Sequence, residues 1–148
     1  MPARHTFFSF HYQRDIWRAN VVRQSGAVVG HAAAGFRDKS LWEEAKRKGD
    51  AAIKKLIRDG LSGTSVTCVL IGAKTSSRQY VRYEIDQSLD RGNGLFGVHI
   101  HGIKDQYGQT DVRGPVPQAL RSAGAPVYTW TGIPGDFGRW VEAAYAAR

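Results

Sequence analysis

The fold is decided by the stretch Ser65-Val66-Thr67-Cys68-Val69-Leu70-Ile71, which is almost continuously apolar or β-branched. A short run of this kind, without alternation, is typical of a central parallel strand that is covered on both faces. Successive parallel strands need a crossover connection between them, and that connection is usually a helix. The stretch therefore predicts an α/β fold in which helices pack against a sheet.

Strand-like and helix-like segments alternate on both sides of this central run. The predicted strands are 5–10, 65–71, 95–100 and 127–130, with a weaker one within 28–36. The predicted helices are 15–24, one from Ser40, one over 50–59, one from Ser76 to the glycines at 92–94, and one around 137–144. Residues 102–124 are polar and glycine-rich, with no predicted element. The alternation predicts an open, mostly parallel five-stranded sheet of flavodoxin-like size, with helices on both faces.

Local patterns predict helix starts and buried positions. Two tetrapeptides fit a capping box, Ser40-Leu41-Trp42-Glu43 and Ser76-Ser77-Arg78-Gln79, and predict helices that begin there. In the helix predicted from Ser76, the apolar residues Val81, Ile85 and Leu89 recur every four residues and predict its buried stripe. The tryptophans predicted to lie in the core are Trp17, Trp130 and Trp140.

The chain has 148 residues, which is the length of one ordinary domain, and we expect a single domain over residues 1–148. Its one cysteine, Cys68, lies in an apolar run, which predicts a buried thiol and excludes a disulfide framework. No apolar run approaches the ~20 residues of a membrane span, and no export signal is visible. These features predict a cytoplasmic protein with no membrane partner.

The formal net charge is +8, and the first 60 residues carry most of it, with 12 Lys and Arg against 6 Asp and Glu. The most crowded cations are Lys46, Arg47, Lys48, Lys54, Lys55 and Arg58. Such a cluster either attracts nucleic acid, an acidic partner or nucleotide phosphates, or forms the solvated face of a helix. Because no helix-turn-helix, zinc-finger or RNP-like motif accompanies it, we expect no nucleic-acid partner. The alternative hypothesis, that this cluster binds nucleic acid, predicts an affinity for nucleic acid that falls steeply as the salt concentration rises.

Residues at the strand ends exclude several α/β functions. A phosphoacceptor domain needs carboxylates there for magnesium, but the first strand ends Phe8-Ser9-Phe10-His11. A dinucleotide-binding fold needs Gly-x-Gly-x-x-Gly directly after the first strand, and a phosphate-binding P-loop needs Gly-x4-Gly-Lys-Ser/Thr; neither is found there. His99 and His101 share one face of a strand, but no third ligand lies near in sequence, so we expect no metal site.

The predicted ligand site lies where the strand order reverses, because open α/β sheets bind ligands there, beyond the carboxyl ends of the strands. In this sequence the corresponding segments are the loop after Phe10, the loop around Asp38 and the residues that follow Ile71.

Glu84 is the carboxylate best placed for catalysis. It lies four residues after Tyr80, so the two side chains share a helix face one turn apart. The spacing puts Glu84 at the edge of the buried stripe, where a carboxylate can face a cleft. There it can stabilise the positive charge that develops when a glycosidic bond loosens. The alternative is a structural ion pair with Arg78 or Arg82 on the same helix.

Two segments resemble TIR domains: His5–Tyr12 resembles their first strand and loop, and Tyr80-Val81-Arg82-Tyr83-Glu84 resembles their aromatic-x-x-x-Glu helix motif. The similarity is closest to the TIR-like domain of the Thoeris antiphage defence system, the ThsB family. It covers about residues 5 to 115, including the segments Ser40–Glu43, Thr64–Gly72 and Val81–Ile85. The resemblance implies a flavodoxin-like TIR fold.

The resemblance implies an enzyme that cleaves the nicotinamide–ribose bond of NAD+ and closes the ADP-ribose part into a cyclic ADP-ribose isomer. This product diffuses to a separate effector and activates it. NAD+ is then the substrate, and no resident cofactor or metal is implied. Glu84 stands at the position of the family's catalytic glutamate. The implied substrate-binding residues are Ser9, Phe10, His11, Asp38, Trp42 and Tyr80. Self-association or a phage-derived trigger is expected to activate a latent enzyme.

Several of these residues also have a structural interpretation. Trp42 fits a core tryptophan as well as a pocket wall, and His11 fits an exposed loop residue as well as a ligand contact. For the whole chain, the alternative to an enzyme is a non-catalytic TIR-like interaction module in which Glu84 is paired with an arginine and inert.

Overall fold

The computed structural model describes residues 4–24, 33–34 and 39–148. The strands are β1 Thr6–Ser9, β2 Ala33–Ala34, β3 Val66–Ile71, β4 Gly94–His99 and β5 Val127–Thr129. They form a five-stranded sheet in the order β2-β1-β3-β4-β5, in which all neighbouring pairs are parallel. This sheet confirms the predicted α/β, flavodoxin-like architecture.

Helices cover both faces of the sheet. They are α1 Tyr12–Arg23, α2 Lys39–Lys48, α3 Asp50–Leu61, α4 Gln79–Asp90, α5 Gln118–Ser122 and α6 Asp136–Ala147, and a 3-10 turn, Thr75–Ser77, precedes α4. One core layer contains α1 and α6, and the opposite layer contains α2 to α5. Because both faces are covered, β1 and β3 are buried along their whole length, which explains their nearly unbroken apolar sequence.

Alternate side chains of β1 pack into the two core layers on opposite faces of the sheet. Phe8 packs with the layer of α1 and α6, whereas Phe7 packs with α2 and α3. Ser9, the last residue of β1, points to the same side as Phe7 because side chains alternate along a strand. The end of β1 therefore presents a hydroxyl to the layer that contains α4.

The strand order reverses between β1 and β3, since β2 lies on one side of β1 and β3 on the other. The two strands end close together: Ser9 pairs with Val69, two residues before the end of β3. This is the point beside strand one at which the sequence predicts a ligand site.

Helix α1 begins at Tyr12, three residues before the predicted start at Asp15. The reason is a cap that the sequence pattern did not reveal. His11 precedes the helix in extended conformation, and its Nδ1 accepts a hydrogen bond from the backbone N–H of Arg14 at 3.3 Å.

Neither helix begins directly after the serine of its predicted capping box. Helix α2 begins at Lys39, so Ser40 lies inside its first turn. Helix α4 has Arg78 as its N-cap, without a side-chain hydrogen bond to the helix. The serine predicted as its cap, Ser76, lies within the 3-10 turn, and the hydroxyl of the next residue, Ser77, donates to the carbonyl of Lys74 at 2.9 Å.

The predicted buried stripe of α4 is correct at Val81 and Ile85 and wrong at Leu89, which is 44% exposed. A spacing of four residues drifts around a helix that has about 3.6 residues per turn. Ser88 occupies the buried position instead, and its hydroxyl bonds to Thr67 of β3 at 2.7 Å.

Of the three tryptophans predicted to be core, Trp17 is 48% exposed. Ala19 and Val22 define the inward face of α1, and Trp17 lies away from it. Trp130 and Trp140 are partly buried and pack against the layer of α1 and α6. They line the edge of this core layer and are not buried inside it.

The polar segment 102–124 contains α5, which the sequence pattern missed. Leu120 is the one fully buried apolar residue of α5, and it packs with Val69 and Ile71 of β3. The weak strand predicted within 28–36 falls on described residues only at 33–34, where β2 is found, and the rest of it lies outside the described residues.

Cys68 is a free cysteine, fully buried in β3, as predicted. Burial raises the pKa of its thiol, which keeps it protonated and unreactive. Among the helices of the described ranges, none is long and apolar enough to cross a bilayer.

The lysines of the basic cluster lie on solvated helix faces. Lys48, Lys54 and Lys55 each pair with a carboxylate one turn away on their own helix, at 3.0, 3.1 and 2.9 Å. Pairs of this spacing are typical of exposed helices. The cluster thus fits the solvated-face interpretation.

Asp15 is a buried carboxylate without a hydrogen-bond partner among the described residues. It is 1% exposed, and both of its oxygens are buried. It packs so closely on Gly72 that a β-carbon added there would overlap the carboxylate. Burial raises the pKa of Asp15 to about 6, although Arg14 and Arg18 oppose the shift. An ionised Asp15 therefore destabilises the folded state.

Asp15→Asn is expected to stabilise the protein by roughly 1–3 kcal/mol above pH ~7 and to have little effect near pH ~4. The pKa of Asp15 is higher in the folded than in the unfolded chain. Its contribution to stability is therefore complete at low pH and is lost as the pH rises through about 6. Urea unfolding across this range measures the effect. The exposed Asp59→Asn is the control, and a pH-independent difference between wild type and Asp15→Asn would contradict the prediction.

Candidate active site

Glu84 and Ser9 meet at the carboxyl end of β1. The Ser9 hydroxyl donates a hydrogen bond to Glu84 Oε1 at 2.8 Å, although the two residues are 75 positions apart in the chain. Ser9 ends the strand beside the switch point, and Glu84 lies in the second turn of the helix that follows β3. The contact brings the carboxylate to the region where open α/β sheets bind ligands.

The burial of Glu84 is deeper than its predicted position at the edge of the stripe. The residue is only 1% exposed, because the end of β1 lies against it. A carboxylate in such surroundings interacts with a nearby positive charge much more strongly than one in water. Glu84 is therefore suited to stabilise a cation that forms next to it.

Neither arginine considered as a structural partner of Glu84 pairs with it. Arg82 approaches Asp86 instead, at 3.9 Å, and its side chain is 80% exposed. Arg78 is the N-cap of α4 without a side-chain cap hydrogen bond, and no ion pair joins it to Glu84 within the described part of the chain. The ion-pair interpretation of Glu84 is therefore wrong for both arginines.

A row of aromatic rings extends from the residue one helical turn before Glu84 to the first loop. Tyr80 stands one helical turn before Glu84, and its ring meets that of Trp42 edge-on, with 6.4 Å between centroids. Trp42 lies 6.2 Å from the ring of Tyr12, which in turn lies 6.0 Å from Phe10. Tyr12 was not among the predicted site residues. The signal that could have identified it is its place at the end of the segment His5–Tyr12, which resembles the first strand and loop of TIR domains.

Trp42 and Tyr80 are held from the side of α3. Trp42 is 4% exposed and packs with Phe7 and Ile57, so its core interpretation is correct. The Tyr80 hydroxyl donates to Asp50 Oδ1 at 2.8 Å. Burial and this hydrogen bond raise the pKa of Tyr80, which keeps the phenol neutral. The two rings are thus fixed by neighbours outside the row.

Phe10 belongs mainly to the other core layer. It is 3% exposed and packs with Phe8 and the helices α1 and α6, on the opposite side of the sheet from Ser9. The structure does not bring it to Glu84, and it reaches the aromatic row only through Tyr12. Asp38, another predicted substrate-binding residue, lies outside the described residues.

His11 is half-buried, two residues after Ser9, and it is the N-cap of α1. Its Nδ1 accepts a hydrogen bond from the Arg14 amide, so the neutral ring carries its proton on Nε2. Burial lowers the pKa of His11, and the charge of Arg78 lowers it further. His11 is therefore a neutral group that can donate a hydrogen bond through Nε2–H, and not an exposed loop residue.

The described residues contain no group of three or more His, Cys, Asp or Glu that is arranged to hold a metal ion. His99 and His101 are neighbours, with ring centroids 5.9 Å apart. Arg113 approaches Nε2 of His99 at 3.4 Å, and a guanidinium in this place disfavours a second cation.

The fold and the site together define a class of protein. The sheet is parallel, and its strand order reverses between β1 and β3. The helix after β3 carries a buried glutamate one turn after an aromatic residue. This combination defines a TIR-like domain. The chain belongs to the family described as Thoeris protein ThsB, TIR-like domain, whose profile matches residues 7–105. The family predicted from the sequence is thus confirmed.

A relative from Bacillus cereus strain MSX-D12 is similar over nearly the whole chain. It is 46% identical over 149 residues, which cover 95% of this chain and 75% of the relative. That protein is named ThsB1 and is described as a candidate cyclic ADP-D-ribose synthase.

Proposed function

We propose that this protein cleaves the nicotinamide–ribose bond of NAD+ and converts the remainder into a cyclic ADP-ribose isomer, with Glu84 as the catalytic residue. Membership of the ThsB family and the synthase description of the Bacillus relative support the reaction. The observation that carries the assignment of Glu84 is its hydrogen bond to Ser9 beside the switch point. NAD+ is the substrate, and the reaction needs no resident cofactor.

The first step breaks the bond between ribose C1′ and the nicotinamide nitrogen. Nicotinamide is already cationic in NAD+, so it leaves as a neutral molecule with the bonding electron pair and needs no general acid. Positive charge then develops on the ribosyl C1′ and its ring oxygen. The carboxylate of Glu84 stabilises this charge, and the Ser9 hydroxyl holds the carboxylate in orientation.

The second step closes the ring. A nucleophilic atom at the adenosine end of the same molecule attacks C1′, and a proton is released to solvent overall. The partly exposed rings of Tyr12 and Tyr80 offer aromatic surfaces on which a base can stack, and the buried Trp42 supports them from behind, which favours a folded-back substrate. Exclusion of water from C1′ favours ring closure over hydrolysis to ADP-ribose.

The wider role that we propose is antiphage defence in the cytoplasm. The cyclic product diffuses to a separate effector and activates it, and self-association or a phage-derived trigger switches on the enzyme. The Thoeris family supports the defence role, and the free, buried Cys68 fits a reducing compartment. We propose no nucleic-acid or membrane partner, and one domain over residues 1–148.

The direct test is to incubate the protein with NAD+, to measure nicotinamide by chromatography and to identify the nucleotide product by mass spectrometry. We expect nicotinamide together with a product one water lighter than ADP-ribose. The same assay is repeated in lysates of phage-infected cells that express the protein, because an enzyme that needs a trigger would be active only there. Absence of nicotinamide release under both conditions would contradict the proposal and favour the non-catalytic interaction module.

His11→Asn and His11→Ala are expected to separate the two roles of His11. Asparagine is a good N-cap but lacks the Nε2–H donor, whereas alanine lacks both. We expect a loss of stability of about 1 kcal/mol for alanine and close to none for asparagine. If Nε2–H donates to the substrate, both variants raise KM for NAD+ to a similar extent. If His11→Asn keeps the wild-type KM for NAD+, the role of His11 is confined to capping helix α1.

A further inference from the structure

A groove with a volume of about 370 Å³ lies between α2 and α3. Each helix contributes one face to it, with residues at positions i, i+3, i+4 and i+7: Leu41, Glu44, Ala45 and Lys48 from α2, and Ala52, Lys55, Leu56 and Asp59 from α3. Ala45 is buried, and Ala52 and Leu56 are partly buried. Leu41 is 53% exposed. A groove between two helices with apolar residues along its length is suited to receive a helix of a partner.

The charges in the groove indicate what kind of partner fits it. The charged lining residues are two acids and two bases, so the lining has no net charge, whereas the whole chain carries +8. Two copies of such a chain repel each other, and they can approach most easily where the surface is locally neutral. An acidic protein or a nucleic acid is attracted instead by unbalanced cations. The balance of charge in this groove therefore favours a second copy of the chain.

The order of side chains makes the groove self-complementary. Helices α2 and α3 are joined by Gly49 alone and lie side by side along the groove, so they run antiparallel. Glu44 and Lys55 are five and six residues from Gly49, which is about 7.5 and 9 Å along the two helices. Leu41 and Leu56 are eight and seven residues away, at about 12 and 10.5 Å. Each wall thus carries at the same level the residue that complements the other wall.

We propose that two copies of this chain associate through the α2–α3 groove, about a two-fold axis that runs along the groove. The rotation places α2 of each copy against α3 of the other, and every contact occurs twice. Glu44 then faces Lys55 of the other copy, and Leu41 faces Leu56 of the other copy. The four helices form a bundle in which all neighbours are antiparallel. Apolar burial supplies the affinity, and the charge pairs fix the register.

The same two helices support the candidate active site. Trp42 of the aromatic row follows Leu41 in α2, and Asp50 of α3 accepts the hydrogen bond from Tyr80 at 2.8 Å. Association through the groove therefore restrains the helices that hold the aromatic row. The inference names a surface for the self-association suggested above. Only its consequence for catalysis rests on the proposed function, because association needs no NAD+.

The first test is sedimentation velocity of the full chain over a range of concentrations without NAD+. We expect a reversible dimer, and Leu41→Glu should weaken it by roughly 10-fold or more, because a carboxylate would be buried among apolar groups. The matched control is Leu89→Glu, which changes an exposed leucine of α4 and should associate like the wild type. The inference is overturned if the wild type stays monomeric up to about 1 mM, or if both variants weaken association equally.

The second test uses charge reversal at two exposed side chains of the groove. Glu44→Lys sets lysine against lysine across the two-fold axis, and Lys55→Glu sets glutamate against glutamate. Each variant alone should associate roughly 10-fold more weakly than the wild type. An equal mixture should form a mixed dimer as tight as the wild-type dimer, because each lysine then faces a glutamate of the other copy.

Recovery on mixing cannot arise from a contact within one chain. A mixture that associates no more tightly than the separate variants would therefore overturn the proposed pairing. Failure of the proposed function has a different signature: nicotinamide release is absent from all proteins, while association still follows the charges at positions 44 and 55.

Discussion

Glu84→Gln is expected to slow nicotinamide release by roughly 10²- to 10³-fold, the usual effect of removing one electrostatic group from an active site. Glutamine has nearly the same shape and can still accept the hydrogen bond from Ser9, but it carries no charge. The charge is needed only once the ribosyl cation forms. The loss should therefore appear in kcat, with KM for NAD+ little changed.

The control for this experiment is Asp86→Asn, which removes a carboxylate charge from the exposed side of the same helix. It should release nicotinamide at the wild-type rate, and both variants should melt close to the wild type. Equal rates for wild type and Glu84→Gln would remove Glu84 from the mechanism. Equal losses in the two variants would point to net charge and not to the buried carboxylate.

Gly94→Ala is expected to cause the largest loss of stability, about 3 kcal/mol or more. Gly94 begins β4 and is buried beneath α6. An added β-carbon would lie well inside contact distance of the Ala144 carbonyl oxygen, which belongs to the backbone of α6. A backbone atom cannot rotate away as a side chain can, so the helix itself must shift. Denaturant unfolding and amide exchange in α6 measure the effect.

Gly102→Ala is the matched control, since a β-carbon there meets no other atom within 4 Å and the residue has no left-handed conformation. Its stability should stay within roughly 1 kcal/mol of the wild type. A Gly94→Ala protein as stable as this control would show that α6 does not lie against β4 in the way described.

Strands could be predicted closely because a buried parallel strand needs a nearly unbroken apolar run. The prediction 65–71 matches β3 within one residue, and the predicted strand 95–100 matches β4 within one residue at each end. Helix starts were harder. A histidine cap before α1 and a 3-10 turn before α4 depend on local geometry that a search for Ser-x-x-Glu patterns does not detect.

The candidate site was predicted in part. Glu84 was identified by its spacing from Tyr80 and by the family resemblance, and Ser9 and His11 were assigned to the first loop. Phe10 was also assigned there, but alternation along the strand turns its ring into the opposite layer. Arg78 was considered as an ion-pair partner of Glu84, since sequence neighbours on a helix suggest pairs even where none forms.

The sequence by itself determined the α/β class, the strands and the glutamate one turn after an aromatic residue, because each depends on residues close together in the chain. Only the tertiary structure decided that Ser9 donates to Glu84 and that Tyr12, Trp42 and Tyr80 form one row. It also decided that Asp15 is buried without a partner among the described residues. These outcomes depend on which face of each helix meets which strand, and this is set by packing between distant segments.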